Sequence, residues 1–127
     1  KLIKKLRLSG TVKLLNYVPD GHLPVLYQKS LGIVFPSLYE GFGMPILEGF
    51  ASQIPVLTAD MGATREIAGN AALLVNPNNI SAIEFGLNQL VDDSALRSQL
   101  ITKGQVRLKD FNWETSAQKV INLWKTL

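Results

Sequence analysis

Short apolar runs alternate with helix-spaced apolar positions as far as Asn76-Pro77, and beyond that point only the helical spacing continues. Residues 1–8 read as the end of a helix, with Gly10 suited to its C-terminal stop. Residues 11–15 are rich in β-formers and predict a strand. Asn16-Tyr17-Val18-Pro19 makes a loop, and Asp20 is placed to cap a helix running to Lys29, with Leu23, Leu26 and Tyr27 facing inward. The run from Gly32 to Phe35 predicts a buried strand. A glycine-bearing loop follows, then a helix over residues 44–52 with Ile46, Leu47, Phe50 and Ala51 at helical spacing. Residues 55–58 predict another strand, Thr64-Arg65-Glu66-Ile67 opens a short helix, and residues 72–75 predict the last strand. Three helices close the chain. Ser81 and Glu84 form a capping box for the first, whose apolar face holds Ile83, Leu87 and Leu90. Asp93 or Ser94 caps the second, with Leu96, Leu100 and Leu108 inward, and Asn112 caps the third, which presents Trp113, Ala117, Val120, Ile121 and Trp124.

Strands alternating with helices predict an α/β domain whose parallel sheet is covered on both faces. Ligands of such sheets bind beyond the carboxyl ends of the strands. The loops at Tyr17, Glu40 and Asp60 all leave predicted strands at that end, so they are expected to meet at one rim.

With 127 residues and 46% hydrophobic content, the chain suits one domain with a core of its own. The absence of cysteine excludes a disulfide scaffold and a cysteine metal site, and fits a reducing compartment. No apolar run approaches the roughly 20 residues that a spanning helix needs, which points to the cytoplasm or to its membrane face. The net charge of +3 is modest, and no nucleic-acid partner is expected. Lys1, Lys4, Lys5 and Arg7 form the one dense basic cluster, interleaved with Leu2, Ile3 and Leu6; it is compatible with peripheral contact to an anionic membrane and reads more simply as a solvated helix face.

The chemistry concentrates in Glu40-Gly-Phe-Gly-Met-Pro-Ile-Leu-Glu48. Pro45 falls early in its helix, where a fixed φ and a missing N–H cost least. Glycines let backbone approach a ligand closely, and free N–H groups at a helix start attract phosphate. Glu48, more than a turn into the helix, can accept hydrogen bonds from groups beside such a phosphate, while Glu40 on the loop reaches the far side. A phosphate between two hydroxyl-reading carboxylates describes a nucleotide-sugar, with ribose on one side and hexose on the other. Two solvated acids on a surface turn remain the plain alternative.

That nine-residue segment, with Phe35-Pro36-Ser37 upstream, resembles the signature of the group-1 family of retaining glycosyltransferases with the GT-B fold. The likeness continues through Pro55-Val56, Glu66-Ile67, Ala71-Ala72-Leu73-Leu74-Val75-Asn76-Pro77 and Phe111-Asn112-Trp113-Glu114. It implies a fragment of the C-terminal, donor-binding domain, its Rossmann-like sheet short of the first two strands. A glycine loop, a basic diphosphate clamp and an N-terminal acceptor domain would lie before Lys1. In the strand order 3-2-1-4-5-6, the residue 11–15 strand would be third and the Gly32 strand fourth, with the two absent strands between them. Such a fragment is expected to dimerise, swap strands or close the gap, and to be inactive alone.

By the same resemblance, Glu40 is the catalytic contact to the donor hexose and to charge developing at the anomeric carbon. Gly41, Phe42, Gly43 and Met44 offer amides to sugar hydroxyls and diphosphate. Glu48 accepts from both ribose hydroxyls, and Tyr17 and Val18 hold the base. The resemblance implies transfer of a hexose from a nucleotide-diphosphate sugar to a sugar or glycolipid acceptor with retention, in polysaccharide or glycoconjugate synthesis, with no metal and no cofactor besides the donor. Asn16 and Gln53 depart from the family pattern, which often has glycine at both places; asparagine tolerates left-handed φ, and Gln53 raises a question of turn geometry.

Gly41-Phe42-Gly43 begins like a dinucleotide fingerprint, but Ile46 stands at the third glycine position and the strand ends several residues earlier. A glycosidase pair of Glu40 and Glu48 would leave the helix-start anion site unused. His22, the one histidine, has no partner for a triad, and the Asn79-Ile80-Ser81 sequon reads as a helix cap. A non-catalytic nucleotide-sugar binding module, or a sugar-nucleotide epimerase of the same fold, stays open as the alternative to transfer.

Overall fold

The computed structural model describes residues 1–126. In chain order the elements are α1 (Leu2–Lys5), α2 (Leu23–Lys29), β1 (Ile33–Phe35), α3 (Met44–Ala51), β2 (Val56–Ala59), α4 (Gly62–Ala68), β3 (Leu73–Val75), α5 (Ile80–Asp92), α6 (Ser94–Leu108) and α7 (Trp113–Lys125). The three strands form one parallel sheet in the order β1-β2-β3, with Ile33 opposite Val56 and Leu57 opposite Leu73.

All four residues of β2 are buried, as expected of a central parallel strand covered on both sides. Successive side chains of that strand point to opposite faces, and the core divides accordingly. Val56 joins Ile46, Leu47 and Phe50 of α3 and Ile67 and Ala68 of α4 on one face. Leu57 joins Val75, Leu90 of α5 and Leu100 of α6 on the other. Gly49 sets the distance between α3 and the sheet: a Cβ there would stand 2.5 Å from Val56 Cγ2. The helix therefore lies closer to β2 than any side-chain-bearing residue would permit.

α3 ends in a Schellman motif. Gln53 N–H donates to Phe50 O and Ile54 N–H donates to Gly49 O, both at 3.1 Å, with Gln53 at φ +58°. The departure from glycine noted in the sequence thus falls on the left-handed position of the turn, which is kept at the cost of backbone strain. Asn16 is not among the residues with positive φ, so the turn expected of it is absent.

Several boundaries differ from the sequence reading. Residues 11–15 form no strand, and Leu14 and Leu15 are exposed; a strand needs a hydrogen-bonding neighbour, and β1 has only β2. α1 stops early, where Arg7 takes φ +56°. α2 begins at Leu23 with His22 before it, not at Asp20. Asn79, not Ser81, caps α5, its side chain accepting from Ala82 N–H. Asp93 and Asn112 cap α6 and α7 as expected. α7, however, buries none of its residues: Trp113 and Trp124 are 89% and 79% exposed, so its apolar stripe finds no partner among the described residues. No helix among the described residues is long and apolar enough to cross a membrane.

Candidate functional site

Parallel pairing puts the exits of β1 and β2 side by side, and Thr58 Oγ1 donates to Phe35 O at 2.9 Å to tie them together. The Glu40 and Asp60 loops therefore leave one edge of the sheet. The loop after β2 folds against itself: Thr64 Oγ1 donates to Ala59 O and Met61 O, and Arg65 pairs with Asp60 at 3.1 Å. Tyr17 is 83% exposed and no strand precedes it, so the expected route by which a strand end would carry it to this rim is absent. Val18 is half-buried, and among the described residues neither side chain makes a polar contact to the Glu40 loop or to Glu48.

The loop from Glu40 to Met44 is built around Gly43, which caps α3 at φ +104°, a conformation that asks for glycine. It is also buried; a Cβ there would press to 3.2 Å from Ile46 Cδ1. Among the described residues, the amides of Gly41, Phe42, Gly43 and Met44 find no acceptor in the protein. Gly41, Phe42 and Met44 are exposed, the latter two by 43% and 51%, while Gly43 between them is buried. Consecutive unpaired N–H groups at a helix N-terminus make an anion-binding position.

The two carboxylates lie on either side of this loop in the chain and are held by different elements. Ser37 Oγ donates to Glu40 Oε1 at 2.9 Å, anchoring the half-buried acid to the exit of β1. Tyr27 Oη donates to Glu48 Oε2 at 2.9 Å, tying α3 to α2. Burial and the adjacent carboxylate push the Tyr27 phenol up from its usual 10.0 to about 12, so it is a protonated donor throughout the ordinary pH range. Glu48 and Tyr27 share the wall of a hollow of about 310 Å³ with Asp20, Leu23, Gln28 and Ser52. A larger hollow, about 520 Å³, lies between the end of α4 and α6, and no residue from Glu40 to Glu48 lines it.

The loop has a support on its other flank. Arg107 of α6 donates to Ile67 O at 3.1 Å and to Glu66 O at 2.7 Å, capping the carbonyls at the end of α4. Its guanidinium lies 4.9 Å from the ring centre of Phe111. Phe111 in turn meets Phe42.

Tyr27, Ser37 and Phe111 were not singled out for the site from sequence. Tyr27 sits on an apolar helix stripe with Leu23, and only its polar tip distinguishes it there; Ser37 and Phe111 stood out only as parts of a resemblance.

The family profile described as glycosyl transferases group 1 matches residues 1–107. The chain belongs to that family. Among its relatives, the O-antigen chain mannosyltransferase B of Escherichia coli is 35% identical over 127 residues, covering 100% of this chain and 33% of that protein. The chain thus spans about a third of the length of that glycosyltransferase. Of solved structures, the sucrose-phosphate synthase of Thermosynechococcus elongatus matches with a TM-score of 0.86 at 26% identity, over 98% of this chain and 32% of that one. The C-terminal domain of a glycosyl transferase group 1 family protein from Francisella tularensis matches with a TM-score of 0.70 at 28% identity, over 86% of this chain and 57% of that one. The three-stranded parallel sheet with its flanking helices is Rossmann-like, as in the GT-B domains of this family.

Proposed function

We propose that the full-length protein transfers a hexose from a nucleotide-diphosphate sugar to a sugar or glycolipid acceptor, with retention, and that this chain supplies part of the donor site. The carrying observation is the run of unpaired amides from Gly41 to Met44, between Glu40 held by Ser37 and Glu48 held by Tyr27. In this reading the diphosphate rests on those amides. When the bond from the anomeric carbon to the phosphate oxygen breaks, negative charge grows on the diphosphate, where preorganised N–H groups stabilise it. Glu40 faces the oxocarbenium-like sugar, and Glu48 accepts from the ribose hydroxyls. The acceptor hydroxyl forms the new bond and gives up its proton to the departing diphosphate.

Mannose is the favoured hexose, because relatives such as the Escherichia coli protein and an MMP α-(1→4)-mannosyltransferase from Mycolicibacterium hassiacum bear that name. Tyr17 and Val18 hold the base in this reading, which requires the loop that carries them to reach the rim when the nucleotide is bound. The isolated chain, with β1 at a sheet edge, is expected to self-associate and to turn over no donor. A thermal-shift panel of nucleotide-sugars on the full-length protein, followed by an assay for released nucleoside diphosphate, tests the reading. Stabilisation by a GDP- or UDP-hexose with diphosphate release on adding acceptor supports it. Binding without release would favour a non-catalytic module, and no stabilisation by any donor would contradict the assignment.

A further inference from the structure

Glu48 has three side-chain torsions, and among the described residues its carboxylate takes one protein hydrogen bond, from Tyr27 Oη to Oε2 at 2.9 Å. No cation pairs with Glu48 among the described residues, and Oε1 receives no protein donor there. Tyr27 is itself well placed to act as a fixed post. Its ring is half-buried, and its backbone is locked at the end of α2, where Tyr27 O accepts from both the N–H and the Oγ of Ser30.

We infer that Tyr27 is a positioning residue for sugar-diol recognition: it occupies one oxygen of Glu48 and turns the other toward the vicinal hydroxyls of a ribonucleotide. The inference rests on the donor-site reading above and deepens it. A freely rotating glutamate would spend much of its time turned elsewhere, and a diol needs an acceptor at a fixed angle to both hydroxyls. Preference for ribo- over deoxyribonucleotides then depends on a residue that need not touch the ligand. A tyrosine that merely staples α2 to α3 would affect stability and leave this preference alone.

The test is calorimetry on the full-length protein with GDP and UDP and with their 2′-deoxy and 3′-deoxy forms. The wild type should prefer the ribonucleotide. Tyr27→Phe keeps the ring and should cut that preference about tenfold, the scale of one charge-assisted hydrogen bond. Glu48→Ala removes the free acceptor altogether and should abolish the preference; adding Tyr27→Phe to it should change nothing more. An unchanged preference in Tyr27→Phe, or losses that simply add in the double variant, would overturn the inference while leaving the donor site intact. A wild type that binds neither diphosphate, or binds ribo and deoxy forms equally, would overturn the donor-site reading and the inference with it.

Discussion

The rings of Phe42 and Phe111 meet edge to face, with centroids 6.1 Å apart and planes at 88°. The contact joins the proposed phosphate loop to the segment between α6 and α7, and Arg107 holds Phe111 from behind. Phe111→Ala should destabilise the protein by about 1–3 kcal/mol, since it removes both half-buried area and an aromatic pair. It should also weaken nucleotide binding by freeing Phe42. Denaturant unfolding and calorimetry check the two effects, and a loss of stability with unaltered affinity would show that the loop holds itself.

Gln53 carries left-handed backbone at the end of α3. Gln53→Gly should therefore raise stability by about 1 kcal/mol, with no effect on ligand binding, because the hydrogen bonds of the motif are main-chain and survive the change. Unfolding midpoints in urea give the answer directly. A destabilised variant would mean that the side chain contributes more than its strain costs.

Tyr27 has a folded pKa raised to about 12 from 10.0 by burial and by Glu48. Between these values the native state holds a proton that the unfolded chain has lost, so stability falls as pH rises through this window and is unaffected below it. Comparing wild type with Tyr27→Phe isolates the effect from other groups. The difference between their stability curves should be flat below pH 10 and narrow toward pH 12.

Glu40 is proposed to act on charge that exists only in the transition state. Glu40→Ala should lower kcat by about a hundredfold or more, while nucleotide affinity stays within about threefold. Steady-state kinetics beside calorimetry separate the two, and equal losses in both would assign Glu40 to ground-state binding.

Much of the fold was legible in the sequence because its signals are local. The strand at Ile33–Phe35, the helix spacing of Ile46, Leu47 and Phe50, and the caps at Asp93 and Asn112 all recur in the structure, although β1 is not the buried strand expected, with Val34 46% exposed. What failed was non-local. Residues 11–15 have the composition of a strand but pair with no neighbour among the described residues, and α7 has an inward-looking stripe of which no residue is buried. The site followed the same division. Glycine content and Pro45 disclosed the loop and helix start, whereas the tie between Tyr27 and Glu48 spans 21 positions and depends on how α2 packs on α3.

The most direct measurement is an amide chemical-shift titration of the full-length protein with GDP and with UDP. Large shifts at Gly41, Phe42, Gly43 and Met44 on adding the cognate diphosphate are predicted, with Glu48→Ala weakening the titration. Saturable binding that leaves those four amides unmoved would contradict the account.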